Sequence, residues 1–159
     1  MQDMIQVVWR NALVAEAQEW VGTPYVSNAA IKGKRGGADC AMLLLAIYQN
    51  VGLVDKGFDP RPYPPEWHVH QNIERYLNTI TTFSYEVKGP ADRTPLGGDV
   101  VLFRFGKLFC HGAIVLSWPM VVHAIGGDKV VREDLSTNTH GKRALWPAEK
   151  RVFSFWKED

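Results

Sequence analysis

The residues whose types and spacing could do nucleophilic chemistry are two cysteines, Cys40 and Cys110, and five histidines, His68, His70, His111, His123 and His140. Cys40 has the more telling surroundings, in the stretch Gly36-Gly37-Ala38-Asp39-Cys40-Ala41-Met42-Leu43-Leu44-Leu45-Ala46-Ile47-Tyr48. A glycine pair ends a loop, an aspartate follows, and an apolar run begins at the cysteine. Asp39 is a good N-cap residue, because its carboxylate accepts the unpaired backbone N–H groups of a helical first turn. Cys40 then falls in that first turn, where the free N–H groups and the macrodipole favour negative charge. A thiol held there loses its proton more easily, and the thiolate is the reactive form. The stretch reads as a mount for a nucleophile, which needs a base and a group to orient the base.

Three of the histidines offer little. His68 and His70 adjoin a proline-rich stretch and His140 lies in a polar loop, so all three are expected to face solvent. His111 and His123 each sit in an apolar strand, Phe109-Cys110-His111-Gly112-Ala113-Ile114-Val115 and Met120-Val121-Val122-His123-Ala124, joined by a turn at Trp118-Pro119. Taken singly, either is more often a satisfied core or surface group. Together, on neighbouring antiparallel strands, one imidazole can hydrogen-bond and orient the other, completing a nucleophile, base and orienter. Side chains alternate faces along a strand, so a His111 aimed at such a site turns Cys110 away from it. Cys110 is therefore expected to be a packing thiol, and a bridge to Cys40 is not.

The elements that must position these groups can be read in order. Apolar residues recur at helical spacing from Met4 to Val21, with Gly22 as the expected C-terminal cap. Thr23-Pro24-Tyr25 cannot continue that helix. A glycine- and lysine-rich loop, 26–38, leads to the cysteine helix, expected over about 39–51 with Gly52 as its cap. The prolines in Asp59-Pro60-Arg61-Pro62-Tyr63-Pro64-Pro65 make that segment extended. Another helix is expected over 66–80 and a short strand over 82–87. Strands follow over 100–105, 109–117, 120–124, 129–133 and 152–156, separated by Gly106-Lys107, Trp118-Pro119 and Gly126-Gly127-Asp128. Short strands joined by tight turns make an antiparallel meander. Helices first and strands afterwards predict an α+β fold, with N-terminal helices packed on one face of a sheet of about five to six strands.

The bulk properties exclude several classes. At 159 residues, 46% hydrophobic and 22% charged, the chain suits one globular domain spanning 1–159, without internal repeats or linkers. A net charge of +1 argues against a nucleic-acid partner or an anionic membrane surface. The apolar runs are too short for membrane insertion. Met1-Gln2-Asp3-Met4-Ile5 lacks the pattern of a secretory signal, so the product is expected to stay in the cytoplasm unless it leaves as part of a larger particle. Two cysteines without a CxxC pair, and no histidine tract with zinc spacing, give no support for a metal site or another cofactor.

The combination of Trp20-Val21-Gly22-Thr23-Pro24-Tyr25, Asp39-Cys40-Ala41, Gly98-Asp99-Val100-Val101-Leu102-Phe103, His111-Gly112-Ala113-Ile114-Val115 and Val122-His123-Ala124 resembles the NlpC/p60 cell-wall cysteine peptidases over roughly residues 13–133. The resemblance implies a papain-like α+β core and cleavage of peptidoglycan stem peptides, usually after γ-D-glutamate and before diaminopimelate or lysine. It puts Cys40 at the nucleophile, His111 at the base, His123 at the third polar position and Tyr25 at the tyrosine beside the cysteine. Asn28-Ala29-Ala30-Ile31-Lys32-Gly33, Tyr63-Pro64-Pro65-Glu66-Trp67 and Phe103-Arg104-Phe105-Gly106 look like the small stand-alone members encoded among phage tail and gene-transfer-agent genes. That likeness implies tail-tip or hub proteins as partners, incorporation in a phage-like particle, and local opening of the wall in the periplasm of the target cell. One departure is Met42, where many relatives have glycine. Another is the lack of an obvious wall-binding domain.

The implied mechanism has His111 take the thiol proton while Cys40 attacks the amide carbonyl. The backbone N–H of Cys40 donates to the oxyanion, a contact whose loss typically costs a factor of ~10²–10³. Tyr25 has two open roles, a second donor there or packing on the cysteine helix. Asp39 is placed with the substrate-binding residues, although capping and loop anchoring suit it better than acid catalysis. Asp99 belongs with its turn. Tyr63 and Trp67 either line a substrate groove or pack at the surface. Two rival readings stand beside this one: an amidase or acyltransferase acting on another amide or acyl substrate, and a structural tail-assembly protein with a dormant Cys-His site. An enzyme differs from a dormant scaffold in its thiol. Iodoacetamide labelling of the native protein, followed by peptide mass spectrometry, is expected to modify Cys40 at least about tenfold faster than Cys110.

Overall fold

Asp39 does what its position suggests. Its backbone is extended, its Oδ1 accepts from the N–H groups of Ala41 (3.1 Å) and Met42 (2.8 Å), and the helix begins at Cys40. The computed structural model describes residues 1–62, 75–87, 93–137 and 145–158. The chain runs α1 (Gln2–Glu19), β1 (Ala30–Ile31), β2 (Gly37–Ala38), α2 (Cys40–Val51), α3 (Arg75–Phe83), β3 (Tyr85–Glu86), β4 (Val100–Phe105), β5 (Leu108–Ser117), β6 (Met120–Ala124), β7 (Val130–Asp134) and β8 (Lys150–Ser154). The fold is α+β.

Helix α2 closes at Gly52, whose φ of +93° is the left-handed conformation that glycine adopts without a Cβ penalty. Helix α1 ends differently from expectation. Its C-cap is Trp20 in right-handed geometry, and the Gly22 N–H donates to Val130 (2.9 Å) instead of closing the helix. Gly22 thus hands the chain to β7. The expected strand over 82–87 shrinks to Tyr85–Glu86, because Thr82 and Phe83 complete α3 and Thr82 spends its hydroxyl on the Asn78 carbonyl. The start of the helix expected over 66–80 lies outside the described residues, as do Tyr63, Trp67, His68, His70 and His140.

The six strands of the main sheet pair antiparallel in the order β3-β8-β4-β5-β6-β7. The meander is β4 to β7. Strand β8 returns from the C-terminus to add itself beside β4, so the sheet is not a simple succession. Leu13 and Ala17 of α1, its C-cap Trp20, and Leu43, Leu44 and Ile47 of α2 pack with Val100, Leu102, Ile114, Val122 and Phe153. The alternate residues Val101, Phe103, Ala113, Val115, Val121 and Val152 face a second layer made by Val87, Leu135, Leu145 and Trp118. The continuous apolar runs in β4 and β5 follow from this, since a strand buried on both faces loses the polar half of its alternation.

One buried charge ties the two layers to the chain ends. Asp99 is fully buried in the turn before β4. Its Oδ1 accepts from Arg10 Nη1 (2.7 Å), and its Oδ2 from Arg93 Nη1 (2.9 Å) and the Leu96 N–H (2.9 Å). Arg10 also reaches the Gly97 carbonyl and Ser154 Oγ, and its guanidinium stacks on Trp156 at 4.7 Å. The fully buried Tyr48 donates its hydroxyl to the adjacent Gly98 carbonyl. Removing one member of such a set strands the others without water. Asp99→Ala is expected to cost ~3–5 kcal/mol in urea unfolding, as for a buried ion pair broken on one side.

Candidate active site

Three backbone contacts bring Tyr25 beside Cys40. The Tyr25 N–H donates to Asp128 (2.9 Å), the Ala38 N–H to Pro24 (3.0 Å), and the Val26 N–H to Ala38 (3.2 Å). The Thr23-Pro24-Tyr25 segment is thereby laid between the start of β7 and the strand that feeds the cysteine helix. The glycine pair in the sequence explains how tightly this loop closes. A Cβ on Gly36 would stand 1.9 Å from the Ile31 carbonyl oxygen, and one on Gly37 would stand 2.6 Å from Val26. The Asp39 Oδ2 accepts from the Asn28 N–H at 2.7 Å, so one carboxylate holds both the loop and the helix start. Asp39 is only 3% exposed.

Cys40 is half-buried and Cys110 buried, and neither is in a disulfide. The Cys40 thiol lies 3.9 Å from the Cys110 carbonyl oxygen, which sets it against β5 at the residue preceding His111. Strand β5 is irregular at this point. Phe103 pairs with His111 and Arg104 with Phe109, which makes Cys110 the extra residue of a β-bulge. Bulges re-aim the side chains next to them. The Tyr25 phenol lies close enough to Cys40 for the two groups to influence each other electrostatically. Burial pushes the Tyr25 phenol well above its ordinary pKa, and the neighbouring Cys40 and Asp39 add to the shift, so the phenol keeps its proton and remains a donor. Met42 is 2% exposed and packs inside the protein. At this position, where many members of the resembled family have glycine, the methionine is accommodated in the interior.

His111 Nε2 lies 2.9 Å from His123 Nδ1, with the rings edge to face at 76° and centroids 5.1 Å apart. The spacing of 12 residues read from the sequence thus becomes a hydrogen bond across β5 and β6. The chain of polar contacts then continues to a residue that sequence reasoning passed over. His123 Nε2 lies 2.7 Å from Glu133 Oε2, with both side chains 3% exposed. The register pairs His123 with Val131, so Glu133, two residues further along β7, is its diagonal neighbour on the same face. The signal was available: Glu133 shares strand parity with the apolar Val131 and Leu135, and a charged residue at such an inward position needs a buried partner.

These features match known architecture. A domain of the peptidoglycan hydrolase SagA, described as an NlpC/p60 domain, superposes with a TM-score of 0.55 at 19% identity, over 90% of this chain and 97% of that one. The chain has the NlpC/p60 fold. NlpC1 from Trichomonas vaginalis gives a TM-score of 0.60 at 14% identity over 92% of the chain, and a Staphylococcus aureus protein of the NLP/P60 family gives 0.52 at 20% identity over 88%. The chain spans less than half the length of the latter two, 44% and 40%. No protein-family model matches the sequence, and no curated protein matches it. In this NlpC/p60 fold the described residues form no cluster of three metal-ligating side chains. They also contain no helix long and apolar enough to cross a membrane.

The cap makes a direct prediction. Asp39→Ala removes acceptors from Ala41, Met42 and Asn28 together, so it is expected to lower stability by ~1–2 kcal/mol. Loss of the cap also lets the first turn fray, so Cys40 alkylation in the folded variant is expected to slow relative to wild type.

Proposed function

We propose that the chain is a peptidoglycan-degrading cysteine endopeptidase that cleaves stem peptides, with Cys40 as nucleophile, His111 as base and His123 orienting the base. The observation that carries the reading is the meeting of a capped, half-buried thiol with the strand of a histidine whose ring is already hydrogen-bonded to a second histidine. The likeness to an NlpC/p60 domain of a peptidoglycan hydrolase supports the substrate class.

In this reading His111 takes the thiol proton and Cys40 attacks the carbonyl of the scissile amide. The Cys40 N–H, at the first turn of α2, donates to the oxyanion, and the protonated Tyr25 phenol is placed to donate beside it. His111 then protonates the departing amine, and water, deprotonated by the same imidazole, releases the acyl group from sulfur. Asp39 acts from behind by fixing the turn. Tyr63 and Trp67 are assigned to the substrate groove. The bond is the one between γ-D-glutamate and diaminopimelate, and the enzyme works at a phage-like tail tip, held by tail-tip or hub proteins, opening the wall in the periplasm of the target cell for DNA delivery. The tail-tip part rests on the loop and segment resemblances in the sequence.

Digestion of purified diaminopimelate-type peptidoglycan, with mass spectrometry of the released peptides, tests the reading. Wild type is expected to generate new ends at the γ-D-glutamyl bond and Cys40→Ala none. Release by neither protein would favour a tail-assembly role, and release by both would exclude Cys40 as the nucleophile.

A further inference from the structure

The chain Cys40, His111, His123, Glu133 holds three acid–base groups beyond the thiol, and each imidazole has one N–H and one lone pair when neutral. With both rings neutral, two arrangements satisfy both ring contacts. In the first, the Glu133 carboxylate accepts from His123 Nε2–H, leaving His123 Nδ1 as an acceptor for His111 Nε2–H. His111 Nδ1, the ring nitrogen that the His123 contact does not use, then carries a lone pair. In the second, a protonated Glu133 donates to His123 Nε2, His123 Nδ1–H donates to His111 Nε2, and His111 Nδ1 carries the proton. A base needs the first arrangement.

We propose that Glu133 is a positioning residue that sets the direction of the protons along this chain, so that His111 presents Nδ1 as a lone pair to the Cys40 thiol. The inference rests on the proposed chemistry of Cys40 and His111. When the thiol proton moves to His111 Nδ1, the imidazolium keeps its Nε2–H on His123, and no other proton has to move. The new positive charge then faces a carboxylate one ring away. Glu133 suits this task by its placement. It is 4% exposed, on the third strand of a continuous ladder, and its contact to His123 at 2.7 Å is shorter than that between the rings. A buried carboxylate at that place, where an apolar residue would pack at no desolvation cost, calls for a partner that uses it.

The test reads the tautomer directly. Long-range proton–nitrogen correlation spectra of protein labelled with ¹⁵N-histidine are expected to show His123 with a protonated Nε2 and a pyridine-type Nδ1, and His111 with a protonated Nε2. Glu133→Gln retains an acceptor oxygen and is expected to keep both tautomers. Glu133→Leu is expected to lose them and to slow Cys40 alkylation by ~10–10²-fold, the range for removing the group that orients a functional histidine. Glu133→Gln should alkylate faster than Glu133→Leu, a rescue that packing alone does not provide. A His123 protonated at Nδ1 in the wild type overturns the proposal, as does wild-type alkylation in a folded Glu133→Leu. Should the leucine variant fail to fold, the wild-type and glutamine spectra decide. These readouts need no substrate, so expected tautomers without peptide release would refute the peptidase reading and leave the role of Glu133 standing.

Discussion

The structure turns on how one small carboxylate is used. Asp39 is almost without solvent contact, yet its oxygens accept from three backbone N–H groups, two in the first turn of α2 and one in the loop that approaches it. A buried carboxylate is tolerable only with such donors, so helix start, loop path and carboxylate position are set together. Cys40 follows directly. Its sulfur lies near the start of β5, where the cap sets the first turn, and the bulk of α2 is pinned by Leu43, Leu44, Ile47 and Tyr48 in the core.

Two other buried carboxylates are partnered in the same way. Asp99 gathers Arg10, Arg93 and the Leu96 N–H where α1 and the turn before β4 meet, and Arg10 carries the contact on to Ser154 and Trp156 near the C-terminus. Glu133 lies under His123, which meets His111. The first set serves the frame and the second lies at the proposed site. The first crosses between elements far apart in sequence and the second between consecutive strands, where register leaves little freedom. A slip of one residue would turn His123 and Glu133 to the other face.

Much of the fold was legible because it is coded locally. Strands β4 and β6 have the bounds that turn residues and apolar runs predict, and α2 begins and ends at the aspartate and glycine chosen as its caps. One error arose from a distant partner and another from a contact within a helix. Gly22 sends its N–H to β7 and not to α1. Thr82 and Phe83, both good strand residues, stay in α3. The covered second face of the sheet was missed as well, although the unbroken apolar runs of β4 and β5 carried the hint.

For the site, the sequence by itself determined the chemistry available: a cysteine behind a helix cap, and two histidines on consecutive strands that a tight turn returns toward one another. Those are properties of neighbours in the chain. The resemblance already set Tyr25 beside Cys40; tertiary structure alone decided the loop path that brings it there, that Cys110 occupies a bulge beside His111, and that Glu133 completes the line of imidazoles. These contacts depend on strand register and on the path of a loop. Both are set by burial summed over the whole sheet, a quantity that no short stretch of residues contains.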